Sequence, residues 1–121
     1  MKTLWLDYKG KKILYSDYRN CQSKEMIQVL KNKEKMLSSI KKENLLLANY
    51  NDSHPVGDYI FYLKEVGKKV LKDITYKTAL VGITGSKRLI FSNYLSYTGD
   101  YNIRVFDDEK TALEWLVSDY F

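Results

Sequence analysis

Apolar residues in this chain recur with two alternating periods. Between Thr3 and Tyr8 every second residue, Leu4, Leu6 and Tyr8, falls on one side, which predicts a strand. Lys9-Gly10 is a turn signal, and Lys12–Tyr18 predicts a second strand, its antiparallel hairpin partner. The period then changes. Met26, Val29, Leu30, Met36, Leu37 and Ile40 recur at helical spacing, with Ser23 placed to cap the helix, Glu25 in its first turn and Lys42 near its end. Leu45-Leu46-Leu47-Ala48 is a short continuous apolar run of the kind found in strands covered on both faces. Asp52-Ser53-His54-Pro55 supplies capping side chains and an early proline for a second helix, whose inner stripe is Ile60, Leu63, Gly67, Val70 and Leu71.

The second half repeats this alternation. Thr78–Ile83 predicts another buried strand, and Thr84-Gly85-Ser86 opens a third helix carrying Leu89, Ile90, Tyr94 and Leu95, with Gly99 placed to end it. Asn102–Phe106 predicts a last strand. Asp107 or Asp108 then caps a last helix with Ala112, Leu113, Leu116, Val117 and Tyr120 on its inner face. Strands alternating with helices of this length require crossover connections. The predicted fold is therefore α/β: a mostly parallel sheet of about five strands, an antiparallel N-terminal edge hairpin, and four helices on both faces. No repeat or linker interrupts the 121 residues, so one domain spanning 1–121 is expected.

Composition narrows the class of partner. The net charge of +5 rests on 17 Lys against only 3 Arg, and the lysines alternate with acids, as in Lys31-Asn32-Lys33-Glu34-Lys35. Such a pattern solvates a surface; it does not build the guanidinium clusters that read phosphates and base edges, so nucleic acid is disfavoured as a partner. Cys21 is the single cysteine, which leaves no internal disulfide to form. Met1 to Gly10 contain Asp7 and no uninterrupted apolar core, and no later apolar run approaches a membrane span, so a cytoplasmic protein without membrane insertion is expected.

Three segments together resemble a known family. Ala79-Leu80-Val81-Gly82-Ile83-Thr84-Gly85, then Ile103-Arg104-Val105-Phe106-Asp107-Asp108, then Ala112-Leu113-Glu114-Trp115-Leu116 are similar in order and spacing to the ending of the small STAS-like proteins. These are related to the anti-sigma factor antagonists and share a superfamily-level likeness with lipid-transfer domains of the CRAL-TRIO type. Ile13–Tyr18 and Leu45–Tyr50 agree more loosely, so the likeness covers essentially the whole chain. The resemblance implies a non-enzymatic regulatory module that binds a protein partner or a small ligand. In anti-sigma antagonists an Asp-Ser-Ser-Gly-type sequence at a helix entrance carries a phosphorylated serine. Asp52-Ser53 occupies a comparable place here, followed by His54-Pro55, which makes Ser53 either a modification site or a helix cap.

In an open α/β sheet, ligands bind outside the carboxyl ends of the parallel strands. Four loops fall there: Arg19-Asn20-Cys21, Asn51-Asp52-Ser53-His54, Thr84-Gly85-Ser86-Lys87-Arg88 and Asp107-Asp108. The third is the candidate anion site, formed by Thr84, Gly85, Ser86, Lys87 and Arg88. Its two cations in a helix's first turn oppose the macrodipole, a conflict that a bound anion would relieve; the alternative is that Thr84 caps the helix and both cations point into water. Gly82 to Lys87 lack P-loop spacing, so nucleotide hydrolysis is not expected.

Cys21 and His54 form a conceivable thiol–imidazole dyad, but no third orienting group is assignable and coincidence is the simpler reading. No cofactor and no metal are expected, because no local Cys/His cluster exists. Tyr59, Tyr62, Tyr94, Tyr97 and Tyr101 either line a contact surface or complete the packing shell, and Trp115 reads as a core or subunit anchor. A lipid-like or anionic ligand would need a cavity of about 300 Å³ or more. A homo-oligomer would use the hairpin edge or the tyrosines.

Overall fold

The computed structural model describes residues 2–38, 44–54, 57–69, 76–98 and 103–118. Its elements are β1 (Thr3–Tyr8), β2 (Lys11–Asp17), α1 (Ser23–Ser38), β3 (Asn44–Asn49), α2 (Gly57–Lys69), β4 (Tyr76–Val81), α3 (Lys87–Thr98), β5 (Ile103–Phe106) and α4 (Glu109–Val117). The expected positions Ile40, Lys42, Pro55, Val70, Leu71, Gly99, Tyr101, Asn102 and Tyr120 lie outside the described residues. So do the side chains of Tyr94, Leu95 and Tyr97 and the burial of Gly67.

β1 and β2 form the expected antiparallel hairpin. Their two-residue turn puts Lys9 at φ 48° and Gly10 at φ 82°, the double left-handed conformation whose twist matches that of the strands. From β2 onward every pairing is parallel, and the sheet order β1-β2-β3-β4-β5 follows the chain order. This monotonic order has a consequence for the helices. Crossovers are right-handed, and three crossovers stepping the same way across a sheet must place α1, α2 and α3 on one face. α4 follows the last strand and folds onto the opposite face.

The core is accordingly in two layers. On the α1–α3 face, Ala48, Tyr50 and Leu80 from the sheet pack with Met26, Val29, Leu30, Tyr59, Ile60, Leu63, Val66 and Phe91. Leu14 and Leu46 meet Leu37 on that face as well. On the other face Ile13, Tyr15, Leu45, Leu47, Ala79 and Val81 pack against Ala112 and Leu116 of α4, with Leu113 and Val117 partly buried beside them. The strand alternation explains the split, because successive side chains point to opposite faces and both faces are covered.

Several local expectations are corrected. Ser23 Oγ has no hydrogen-bond partner among the described residues; α1 is instead closed by Glu25, whose carboxylate accepts from Gln22 N–H at 3.1 Å, and by Gln22 C=O, which accepts from Met26 N–H. Lys33, expected on a solvated face, is 6% exposed, because it follows Val29 and Leu30 by four and three residues and shares their inward side. In α3 the expected Leu89 is 76% exposed while Phe91 is buried. Tyr50 explains this shift: its ring meets Phe91 edge-on with centroids 4.7 Å apart, which sets the rotation of the helix. Asp108, one of the two expected caps of α4, accepts from Thr111 N–H at 2.8 Å.

Candidate functional site

Strand order locates the crevice. The connection leaving β4 turns to the α3 face, whereas the one leaving β5 turns to the α4 face, so the two loops diverge at the carboxyl edge. Divergence of this kind is where open α/β sheets form ligand clefts. A crevice of about 510 Å³ opens there, lined by Asn51, Gly82, Ile83, Thr84, Arg88, Phe91, Ser92, Val105, Phe106 and Asp107.

Each wall has a simple origin. Arg88, Phe91 and Ser92 stand three and four residues apart on α3, so they form a single helix face. Val105 belongs to the α3 side of β5, opposite to Phe106, whose ring packs on Trp115 at 5.4 Å on the α4 side. Asp107 continues the alternation onto the same side as Val105. The floor is Gly82-Ile83, where β4 ends. Gly82 has φ 87°, and a β-carbon on it would overlap the Asn51 backbone nitrogen and come within 2.8 Å of Asn51 Oδ1. Glycine is thus required twice over, for its backbone angle and for the close approach of the loop after β3.

That loop is held from below. Asn51 N–H donates to Asn49 Oδ1 at 2.9 Å, Asn49 Nδ2 donates to Glu109 Oε2 at 2.9 Å, and the Tyr15 hydroxyl donates to the same carboxylate oxygen at 2.6 Å. The chain links β2, β3 and α4 to the rim of the crevice. Burial and then the Glu109 bond push the Tyr15 hydroxyl well above the usual phenol range.

The predicted anion-binding residues separate into two groups. Thr84 and Arg88 line the crevice, whereas Gly85 and Ser86 are exposed and do not. Lys87 turns the other way and donates to the Tyr50 carbonyl oxygen at 2.7 Å, so it ties α3 to the end of β3. Its ammonium is lowered from the ordinary lysine value by partial burial, with Asp52 opposing the shift. The Arg88 guanidinium has no hydrogen bond or ion pair among the described residues.

Of the four loops expected at this edge, those at Asn51, Thr84–Arg88 and Asp107 meet around the crevice. Arg19-Asn20-Cys21 does not reach it. Arg19 is engaged in a fork with Asp17 at 2.9 and 3.0 Å, and Asn20 N–H donates to Asp52 C=O. Ser53 is 4% exposed; its Oγ donates to the Tyr50 carbonyl at 2.6 Å, and α2 begins four residues later at Gly57. Modification of Ser53 therefore requires the loop to release this bond and bring the hydroxyl to the surface.

Cys21 and His54 are neighbours through their backbones, with His54 N–H donating to Cys21 C=O at 3.2 Å. Their side chains differ in environment: Cys21 is fully buried and His54 is exposed. Burial pushes the Cys21 thiol up, the opposite of what activates a nucleophile. Tyr59 is buried against Tyr18 and Tyr50, and its hydroxyl shares a 2.5 Å hydrogen bond with that of Tyr50. Tyr62 reaches Glu34 at 3.3 Å.

Sequence reasoning missed Phe91, Ser92 and Val105 as lining residues. The signal for the first two was present in the spacing Arg88-x-x-Phe91-Ser92, but nothing in the chain says which face of α3 is turned toward β5. Among the described residues no group of three or more His, Cys, Asp or Glu converges as metal ligands, and no helix is long and apolar enough to cross a membrane. Comparison of the chain with family models, with curated proteins and with solved structures finds no match.

Proposed function

We propose that this chain is a non-enzymatic ligand-binding module that takes a small anionic molecule in the crevice between β4 and β5. The observation that carries the proposal is the position of Arg88: a guanidinium with no partner among the described residues, on the wall of a cleft of about 510 Å³ at the edge where α/β sheets bind ligands. The volume exceeds the roughly 300 Å³ at the small end of ligand sites. Asn51, Thr84, Arg88, Ser92 and Asp107 place polar groups among the apolar wall residues, which favours a compact ligand with charged or hydrogen-bonding groups over a bare acyl chain.

The STAS-like kinship, a regulatory role and a cytoplasmic setting belong to the same proposal. They are supported by the three C-terminal segments, by the five-stranded sheet with its antiparallel edge, and by the single buried free thiol. Backbone amide NMR of the labelled protein during titration with small carboxylates and phosphates tests the binding reading. Shifts are expected at Gly82, Ile83, Thr84, Arg88, Ser92 and Asp107 and are expected to disappear in Arg88→Ala. Shifts spread over the lysine-rich outer surface, or none at all, would reject it. Turnover on broad hydrolase and transferase panels, lost in Cys21→Ala, would reject the non-enzymatic part.

A further inference from the structure

The crevice carries charge of both signs. Arg88 lies on the α3 wall and Asp107 on the wall at the end of β5, and both line the same cleft. They do not pair with each other: no ion pair within 4.0 Å joins them, and neither side chain has a hydrogen bond or ion pair with another described residue. Two opposite charges free to approach across open solvent gain little by doing so, whereas a ligand that desolvates both can satisfy both. Ile83, Phe91 and Val105 line the same cleft, so part of its wall is apolar and charged groups alone would leave that part uncovered.

We infer that the crevice is built for a zwitterion with an apolar body, its anionic end on Arg88 and its cationic end on Asp107, the chemistry of a free amino acid with an apolar side chain. The inference rests on the ligand-binding reading and adds to it the second charge. Arg88 supplies the planar donor fork that matches a carboxylate. Asp107 accepts from the ammonium, and Thr84 and Ser92 offer hydroxyls beside the two ends. Val105, 45% exposed on the β5 wall, presents the apolar surface to the ligand body, while Phe91, buried and fixed by its edge-on contact with Tyr50, backs the α3 wall. A ligand with one charge leaves the opposite residue desolvated without a partner, and that is how the crevice discriminates.

Three probes that share one side chain and differ at their charged ends test this: L-phenylalanine, N-acetyl-L-phenylalanine and L-phenylalaninamide, titrated calorimetrically and by amide NMR against the whole chain. The zwitterion is expected to bind with shifts at Thr84, Arg88, Ser92 and Asp107, and each singly charged probe at least about tenfold more weakly, the loss of one charge-assisted contact. Asp107→Asn is expected to erase the preference for phenylalanine over its N-acetyl form, and Arg88→Gln the preference over the amide. Both positions are exposed, so both variants are expected to fold, which a native NMR spectrum verifies. Equal binding of phenylalanine and N-acetylphenylalanine would overturn the zwitterion inference and leave an anion site standing. Absence of binding by phenylalanine, while a small carboxylate or phosphate still shifts the crevice resonances, would overturn it as well. Silence of the crevice toward every probe would remove both readings.

Discussion

The backbone nitrogen of Asn51 occupies the space that a β-carbon on Gly82 would need. The two strand ends β3 and β4 are thereby drawn together at the floor of the crevice, and no side chain can be admitted between them.

Gly82→Ala is therefore expected to be severe. The residue would adopt φ 87° at a cost of about 1–2 kcal/mol, and the overlap with Asn51 backbone adds to it, for a total loss above about 3 kcal/mol. Gly10 supplies the comparison. Its φ is 82°, but an added β-carbon meets nothing within 4 Å, so Gly10→Ala should show only the backbone share, about 1–2 kcal/mol. Urea unfolding of the two variants separates the contributions, and equal midpoints would show that the close approach does not exist.

Lys87 and Arg88 are adjacent and share a charge, but they should respond oppositely to mutation. Lys87→Met removes the bond to the Tyr50 carbonyl, and stability should fall by about 1 kcal/mol with the crevice charge unchanged. Arg88→Met should change stability by less than about 0.5 kcal/mol while lowering anion affinity. Thermal unfolding and anion titration on both variants check the pair.

Lys33 gives the protein a rise in stability with pH. Burial alone lowers its ammonium to about 8 from the ordinary lysine value of 10.5. Between those two values the unfolded chain binds more protons than the folded one, so stability should increase from about pH 8 to pH 10 by something on the order of 2–3 kcal/mol. Above that range Tyr18 reverses the trend, since burial raises its hydroxyl to about 12 and the folded state then holds the extra proton. Lys33→Met should stabilise the protein at neutral pH and flatten the rise. Denaturant unfolding at pH 7, 8, 9 and 10 would show it, and an unchanged slope in the variant would assign the rise elsewhere.

Glu109 joins stability to the site. Glu109→Leu leaves the Tyr15 hydroxyl and Asn49 Nδ2 without their shared acceptor, at an expected cost of about 2–4 kcal/mol. It should also loosen the Asn51 loop, seen as faster amide exchange at Asn51 and Gly82. Glu109→Gln keeps an acceptor oxygen and should retain most of both properties.

Legibility in the sequence followed the strength of local pattern. Leu45–Ala48 and Thr78–Val81 are apolar on both faces, which only a strand covered twice can use, and they lie in neighbouring parallel strands with Leu46 opposite Thr78 and Leu47 opposite Ala79. The expected strand ran on to Ile83, but β4 ends at Val81, where Gly82 turns the chain at φ 87°. α3 was harder. Apolar residues follow one another at Leu89, Ile90 and Phe91, so spacing leaves the inward face open, and the Tyr50 ring resolves it by selecting Phe91. Lys33 was misplaced because a lysine among charged neighbours resembles a solvent face, and only the helix phase set by Val29, Leu30 and Leu37 turns it inward.

The alternation of periods two and 3.6, the turn at Lys9-Gly10 and the glycine after Val81 are local properties, each encoded within a few residues, and from them the α/β order and the loops at the carboxyl edge follow directly. The partition of those loops is not local. Lys87 bonds to a carbonyl 37 positions earlier, Arg88 faces a cleft, and Ser53 is turned inward. Those outcomes depend on how distant strand ends meet once the sheet has formed, and side-chain directions at such junctions are set by packing between segments that carry no mark of one another in the chain.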